Sequence, residues 1–213
     1  MNRLAVTAAI SLLLGCVRLM NGWVEPGTTA METGVASWYG YPFQGRAAAD
    51  GEIYEMEKLT AAHRTLPFNT WVRVINLTND KAVDVRIIDR GPFIDGRIID
   101  LSHAAARAIE MVGPGTAPVR LEILRSPTGP PGMFAVQVGA FRELANAQRY
   151  QEVMQARYGV ARMILRAGDP DFWRVIVGEE ASETQARSLA LRIRGETGER
   201  AAFVVRVDGE GER

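Results

Sequence analysis

Residues 50–63, DGEIYEMEKLTAAH, and residues 88–93, IDRGPF, decide how this chain is interpreted. They place two carboxylates, Glu52 and Asp89, and the histidine His63 beside apolar strands and tight turns. A carboxylate held against apolar surface acquires a raised pKa, which is what general acid catalysis requires. The pattern therefore favours a site that splits a bond by acid and base catalysis.

The strand that leads to Asp89 shows a period of two. Val83, Val85 and Ile87 share one face, and strict alternation predicts that Asp89 continues this core-directed face. His63 is predicted to orient or pair with a carboxylate. Structural alternatives stay open for all three residues: Asp89 as a turn residue, Glu52 as a solvated carboxylate, and His63 as a core histidine. Asp100 or Ser102 can cap the helix that follows, and Asp100 is interpreted as a cap rather than a catalyst.

Composition limits the function classes. The 213 residues carry 25 basic and 25 acidic side chains, so the formal net charge is zero. The basic residues are scattered along the chain, which argues against a nucleic-acid partner. No ligand spacing for a metal occurs, and no cofactor is expected.

The N-terminus is predicted to be a lipoprotein signal. Residues 1–15 combine Arg3 with a short apolar segment, and they end before Cys16, the single cysteine of the chain. We expect Cys16 to be lipidated and to anchor the protein to a membrane, with residues 16–32 as a tether. Val17 occupies the position where an aspartate would indicate inner-membrane retention, so an outer-membrane lipoprotein facing the periplasm is predicted.

Two folded domains follow, separated by a linker at residues 126–132 that is rich in proline and glycine. Residues 33–125 are predicted to be mainly β, and residues 133–208 to follow the order β-α-β-β-α-β. In the first domain the patterns predict four strands and one helix: 35–39, 71–75, 82–89, 119–124 and the helix 102–112. In the second, Ser182 and Gln185 form a predicted capping box, and Gly195 is predicted to end that helix.

The second domain is predicted to be a four-stranded antiparallel sheet with both helices on one face. The other face is then expected to be open for a ligand. Gln137 and Arg174 lie on that face by alternation, and Trp173 lies opposite Arg174. These three residues, with an amide, a guanidinium and an aromatic ring, are candidate ligand contacts.

Residues 34–125 resemble the rare lipoprotein A family. The shared strings are GVASWYG at 34–40, FQGR at 43–46, GE at 51–52, LTAAHRTLPF at 59–68, DRGPF at 89–93 and RIIDLSHAAA at 97–106. This resemblance implies a six-stranded double-psi β-barrel and a lytic transglycosylase that cleaves peptidoglycan glycan strands. It also implies that Asp89, Glu52 and His63 are catalytic, and we expect Gln44 and Arg90 to contact substrate.

Residues 133–208 resemble the SPOR domain through QVGAF at 137–141 and WRV at 173–175. That resemblance implies binding to septal glycan strands stripped of stem peptides, and proximity to the division machinery. It makes Gln137, Arg174 and Trp173 candidate glycan contacts, since an amide, a guanidinium and an aromatic ring suit sugar hydroxyls and sugar faces. The combined expectation is an endolytic enzyme that cuts the bond between N-acetylmuramic acid and N-acetylglucosamine and leaves a 1,6-anhydro end, in cell separation. A non-catalytic septal glycan-binding lipoprotein is the main alternative, and a hydrolase using Glu52 and Asp89 is the other.

Overall fold

The computed structural model describes residues 23–24, 31–129, 132–166, 171–198 and 200–207. These residues form a β-barrel followed by an α+β domain, which confirms the predicted fold class. Within these ranges no helix is both long and apolar enough to cross a membrane. The predicted signal peptide, residues 1–15, and Cys16 lie outside the described residues.

The first domain is a closed barrel. Its described strands are β1 Trp23–Val24, β2 Met31–Tyr39, β3 Thr60–His63, β4 Trp71–Asn76, β5 Ala82–Asp89, β6 Arg97–Ser102 and β7 Thr116–Pro127. The strand order is β1-β7-β2-β6-β3-β5-β4, and pairing of β4 with β7 closes six strands, β2 to β7, into the barrel. The β2–β6 and β3–β5 pairs are parallel, while the others are antiparallel. Closure removes the exposed strand edges that an open sheet would have.

The alternating patterns predicted four of these strands, and all four form. Val72, Val74, Val83 and Val85 point into the barrel core and are almost fully buried. Strands β3 and β6 were not singled out by the pattern. Their residues are buried in continuous runs instead of alternating, because other parts of the chain cover both faces.

Two predicted boundaries are wrong. The predicted tether contains β1 and the start of β2, and β1 pairs with β7 through Trp23 opposite Pro127 and Val24 opposite Ser126. Strand β7 therefore runs into the predicted linker, since its end gains backbone hydrogen bonds from a partner that is remote in sequence.

The barrel helix is shorter than predicted. Helix α1 spans His103–Ala108, and the Ser102 hydroxyl accepts from the Ala105 amide at 3.2 Å. Ser102, one of the two predicted caps, is therefore the N-cap, and the alternative interpretation of Asp100 as the cap is wrong. Glu110, with φ of 56°, turns the chain after the helix.

The second domain has the predicted element order. Its elements are β8 Phe134–Phe141, α2 Leu144–Tyr158, β9 Ala161–Arg166, β10 Phe172–Glu180, α3 Glu183–Thr197 and β11 Phe203–Arg206. The antiparallel sheet has the order β11-β8-β10-β9, and both helices pack on one of its faces. Ser182 caps α3 by accepting from the Gln185 amide at 3.3 Å, as predicted. Gly195 lies inside α3, which ends instead at Gly198 with φ of 70°.

The other face of this sheet packs against the barrel. Ala135, Ile176 and Val205 of the sheet form one buried cluster with Phe93 of the barrel. The Arg206 amide donates to the Arg64 carbonyl at 2.9 Å, which joins β11 to the barrel. The expectation that this face is open for a ligand is therefore wrong in this arrangement.

Candidate active site

A cleft of about 400 Å³ lies where the two domains meet, within the range of roughly 300–1,000 Å³ typical of ligand sites. The barrel contributes most of its lining, and the sheet of the second domain contributes the rest. The lining includes Ser37, Trp38, Tyr39, Phe43, Ala62, Asp89, Arg90, Phe93, Arg97, Asp100, Gln137, Arg166, Phe172 and Arg174.

Strand register places Asp89 and Asp100 on either side of β3. Ala62 is the cross-strand partner of Asp89 on β5 and of Asp100 on β6, and Ser37 on β2 is the partner of Asp100. Directly opposed residues share a face of the sheet, so these four side chains all point toward the cleft. Adjacent strands are about 4.8 Å apart, so the backbones of the two aspartates are separated by roughly 10 Å.

A β-bulge brings Asp89 to this face. Ala61 pairs with Ile87, whereas the next residue, Ala62, pairs with Asp89, so Ile88 is the additional residue. One extra residue reverses the alternation beyond it. Asp89 therefore lies on the face opposite Ile87, and its predicted place on the core-directed face is wrong.

Asp89 is buried, and both oxygens of its carboxylate accept hydrogen bonds. Its side chain is 7% exposed, and Oδ1 accepts from the backbone amides of Ala49 at 3.1 Å and Arg90 at 2.8 Å. Arg166, on β9 of the second domain, donates to Oδ2 at 2.6 Å. These three N–H donors, one of them a guanidinium, fix the position of the Asp89 carboxylate at the edge of the cleft.

Asp100 is the second carboxyl group of the cleft. Burial raises its pKa most, and the negative charge of Asp89 raises it further, against a hydrogen bond from Ser37 and the nearby Arg97. A carboxyl group of raised pKa next to an ionised one is the usual arrangement of a proton donor and its electrostatic partner. The sequence interpretation missed Asp100 because its position before a helix looked like a cap.

Aromatic side chains form the apolar part of the cleft. Trp38, Phe43, Phe93 and Phe172 present ring surface suited to the apolar faces of sugars. Tyr39 stacks on Tyr54 at a centroid distance of 4.3 Å. Burial raises the pKa of Tyr39 well above its ordinary value, so this phenol stays protonated; its buried hydroxyl has no hydrogen-bond partner among the described residues.

Glu52 does not line this cleft. Its carboxylate receives two hydrogen bonds from Arg86, at 2.7 and 2.6 Å, and its side chain is 49% exposed. The hydrogen bonds from Arg86 hold the pKa of Glu52 below its ordinary value, which is opposite to the shift that a proton donor needs. The structure therefore separates Glu52 from Asp89, although the turn before Glu52 supplies the Ala49 amide to Asp89.

His63 also points away from Asp89. Its Nδ1 accepts from the backbone amides of Thr65 at 3.2 Å and Leu66 at 3.1 Å, and its Nε2 lies 3.0 Å from Glu32. An Nδ1 that accepts two N–H bonds carries no proton, so Nε2 is the donor to Glu32. The expected pairing of His63 with a carboxylate is present, but the partner is Glu32, and both line a separate cleft.

The predicted glycan contacts on the second domain are mostly covered. Gln137 and Arg174 are each 4% exposed, and the Arg174 Nε donates to the Gln137 Oε1 at 2.5 Å at the inner wall of the cleft. Trp173 packs with the helix-side core of its sheet and does not line the cleft. The interpretation of Gln137 and Arg174 as exposed groups is wrong, because the barrel covers them.

The two barrel residues predicted to contact substrate differ in placement. Arg90 is 2% exposed, and its guanidinium donates to the carbonyls of Leu66 at 2.9 Å and Arg206 at 3.1 Å while covering the Phe68 ring. Arg90 therefore fastens the two domains. Gln44 is exposed, accepts from the Met56 amide at 2.7 Å and lies outside the cleft lining.

Similarity to known proteins agrees with both domains. Residues 31–121 match the family model described as lytic transglycolase, and residues 130–206 match that of the SPOR domain. The endolytic peptidoglycan transglycosylase RlpA of Campylobacter jejuni is 41% identical over 197 residues, covering 78% of this chain and 70% of that protein. The protein of the same name from Helicobacter pylori is 40% identical over 188 residues, covering 73% of this chain and 59% of that protein.

Two solved structures also match parts of this chain. The Streptomyces papain inhibitor is 22% identical, with 45% of this chain and 96% of that chain covered and a TM-score of 0.38. An expansin of Clavibacter michiganensis is 18% identical, with 72% and 81% covered and a TM-score of 0.38. By its identity and coverage against the Campylobacter protein, this chain belongs to the RlpA family of endolytic peptidoglycan transglycosylases.

Proposed function

We propose that this protein is an endolytic lytic transglycosylase that cleaves the bond between N-acetylmuramic acid and N-acetylglucosamine in peptidoglycan strands. The observation that carries the proposal is the pair of carboxyl groups, buried Asp89 and partly buried Asp100, that flank Ala62 in an aromatic-lined cleft. Membership of the RlpA family supports the same reaction.

Asp100 is proposed as the proton donor. It gives its proton to the glycosidic oxygen as the bond to C1 of the muramic acid breaks. The C6 hydroxyl of the same sugar then attacks C1, and its proton returns to Asp100. The products are a 1,6-anhydro end and a free hydroxyl on the leaving sugar, and no water is consumed.

Asp89 is proposed to act through its charge. Its negative charge adds to the effect of burial in raising the pKa of Asp100, which favours the protonated form of that group. The same charge stabilises the positive charge that develops at C1. This differs from the sequence interpretation, which gave the acid role to Asp89, and the roles predicted for Glu52 and His63 stay predictions.

We further propose that the substrate is the peptide-free glycan of the division septum, and that the protein acts there in cell separation. The SPOR match supports septal glycan as the partner. The sequence around Cys16 supports a lipid anchor and an outer-membrane location, with the domains in the periplasm near the division machinery.

Product chemistry tests the proposal. The purified protein is incubated with peptide-free glycan strands, and the fragments are analysed by mass spectrometry. Anhydro-ended fragments are expected. Reducing-end fragments would identify a hydrolase, and binding without fragments would identify a glycan-binding protein with no catalytic activity.

A further inference from the structure

Arg166 crosses the domain boundary at the cleft. It is the last residue of β9, yet its guanidinium reaches the barrel, with 2.6 Å to Asp89 Oδ2 and 3.4 Å to the Arg90 carbonyl. Its side chain is 29% exposed, whereas that of Asp89 is 7% exposed. The second domain therefore places a solvent-reachable positive charge beside a proposed catalytic carboxylate.

The cleft carries more positive than negative charge. Among the described residues, which exclude 167–170, its charged lining consists of the arginines Arg90, Arg97, Arg166 and Arg174 and the aspartates Asp89 and Asp100. Four guanidinium groups against two carboxyl groups favour an anionic ligand, and the excess grows when one carboxyl is protonated.

The four arginines do not offer equal access to a ligand. Arg90 and Arg174 are 2% and 4% exposed and bind groups of the protein itself. Arg97 donates to the Ser37 hydroxyl at 3.1 Å, next to Asp100. Arg166 combines a side chain that is 29% exposed with a position directly beside Asp89, so it is placed to meet an anion that enters there.

We propose that Arg166 binds the free lactyl carboxylate of a peptide-free muramic acid residue, and so makes the cleft selective for strands that lack stem peptides. This inference rests on the proposed function. Removal of a stem peptide leaves a carboxylate on the lactyl group, whereas a peptide-bearing sugar has a neutral amide at that position. A guanidinium binds a carboxylate through paired N–H donors, and an amide cannot replace that charge.

Asp89 takes a second part in this arrangement. In the free protein it holds the Arg166 guanidinium at the cleft, so less side-chain entropy is lost when the glycan binds. The glycan carboxylate then becomes an additional acceptor for a group that is already in position. The sheet of the second domain thus contributes to substrate choice from within the cleft of the barrel.

The test compares two forms of the peptide-free glycan that differ only in the charge of the lactyl groups. Peptide-free strands are used as they are, or after conversion of their lactyl carboxylates to methylamides with methylamine and a carbodiimide. Affinities are measured by calorimetry with the full chain in the D100N background, in which cutting is expected to stop, and the samples are then checked for fragments. The variants are Arg166→Gln, Arg166→Lys and the control Arg162→Gln.

Arg162 is a matched control. It lies on the same strand and the same face as Arg166, four residues away, but it pairs with Glu179 and does not line the cleft. We expect about tenfold tighter binding of the carboxylate strands in the R162Q and parent proteins, the difference that one charge-assisted contact commonly makes. Arg166→Gln should reduce the preference to about twofold or less, and Arg166→Lys should keep part of it.

The proposal is overturned if Arg166→Gln retains the tenfold preference, if the parent protein binds both strands equally, or if it binds neither. Failure of the proposed function has a different signature. In that case the wild-type protein produces no anhydro-ended fragments, while the preference for carboxylate strands and its loss in Arg166→Gln are still observed.

Discussion

Replacement of His63 separates its structural role from the predicted catalytic one. In His63→Ala, the amides of Thr65 and Leu66 lose their common acceptor, Nδ1, and Glu32 loses the hydrogen bond from Nε2. Thr65 and Leu66 are partly exposed, so the loss of the acceptor should lower the free energy of unfolding by only about 1 kcal/mol for each amide, the low end for an unsatisfied group. The Glu32 side chain is 45% exposed, so its hydrogen bond with His63 should contribute only about 0.5 kcal/mol to stability.

Loss of the buried imidazole, which is 3% exposed, adds about 1 kcal/mol through poorer packing. The free energy of unfolding should therefore fall by about 3–4 kcal/mol, measured by urea denaturation monitored through tryptophan fluorescence. His63→Asn is the matched control, because its side-chain oxygen takes a position close to that of Nδ1 and can accept the same two amides. We expect the free energy of unfolding of His63→Asn to be about 2 kcal/mol higher than that of His63→Ala, because the two amide hydrogen bonds are kept.

Activity per folded molecule decides between the two roles. We expect the folded His63→Asn protein to cut glycan within about tenfold of wild type, because His63 does not line the proposed catalytic cleft. The reasoning is refuted if His63→Ala is as stable as wild type, or if folded His63→Asn loses more than about a thousandfold of activity, the scale of a general acid–base group.

Three other changes have defined outcomes. Glu32→Gln should lower the free energy of unfolding at neutral pH and make it less dependent on pH, because the hydrogen bond from His63 lowers the pKa of Glu32 in the folded protein. In the wild type this contribution to stability is lost as the pH falls through that pKa, which urea denaturation at pH values from 7 to 3 measures. Asp100→Asn should abolish cutting, yet it should be as stable as wild type or more stable at pH 7, because a carboxyl group whose pKa is raised by folding destabilises the folded state as the pH rises. The free energies of unfolding of the variant and the wild type should be equal at pH 3, and that of the variant should be higher at pH 7. Gly91→Ala should lower the free energy of unfolding by about 1–3 kcal/mol, because φ at Gly91 is 150°, a conformation that residues with a side chain rarely adopt. The added Cβ itself would make only ordinary contacts, the nearest with Asp100 at 3.5 Å, so an unchanged melting temperature would contradict the argument from backbone strain.

Local patterns sufficed for most of the fold. The period of two in Ala82–Asp89 predicted β5 to the residue, and Ser182 with Gln185 predicted the start of α3. These features depend on neighbours in sequence. Helix ends were less predictable, because Gly195 has the residue type of a helix terminator but lies within α3, and the left-handed residue is Gly198.

The candidate site depends on long-range pairing that a single sequence does not reveal. The bulge at Ile88 follows from the register of β5 against β3, and it moves Asp89 from the core-facing side to the cleft. The same register brings Asp100 to the level of Asp89 across Ala62. Alternation alone assigned Asp89 to the wrong face and gave no reason to consider Asp100.

Docking of the domains changed the interpretation of the second one. Alternation placed Gln137 and Arg174 correctly on the face opposite the helices, and that face was expected to be free. In the structure Phe93 packs there, and Arg174 lies over its ring at 5.3 Å. Contacts between domains that fold around separate cores leave little trace in the local sequence.

A crystal structure of the full chain with Asp100→Asn and a peptide-free tetrasaccharide tests the central claim most directly. The account predicts that the glycan occupies the cleft between the domains, with a glycosidic oxygen about 3 Å from the side chain at position 100, within hydrogen-bond reach of a proton donor. A glycan bound instead beside His63 and Glu32, or along the exposed side of Glu52, would contradict it.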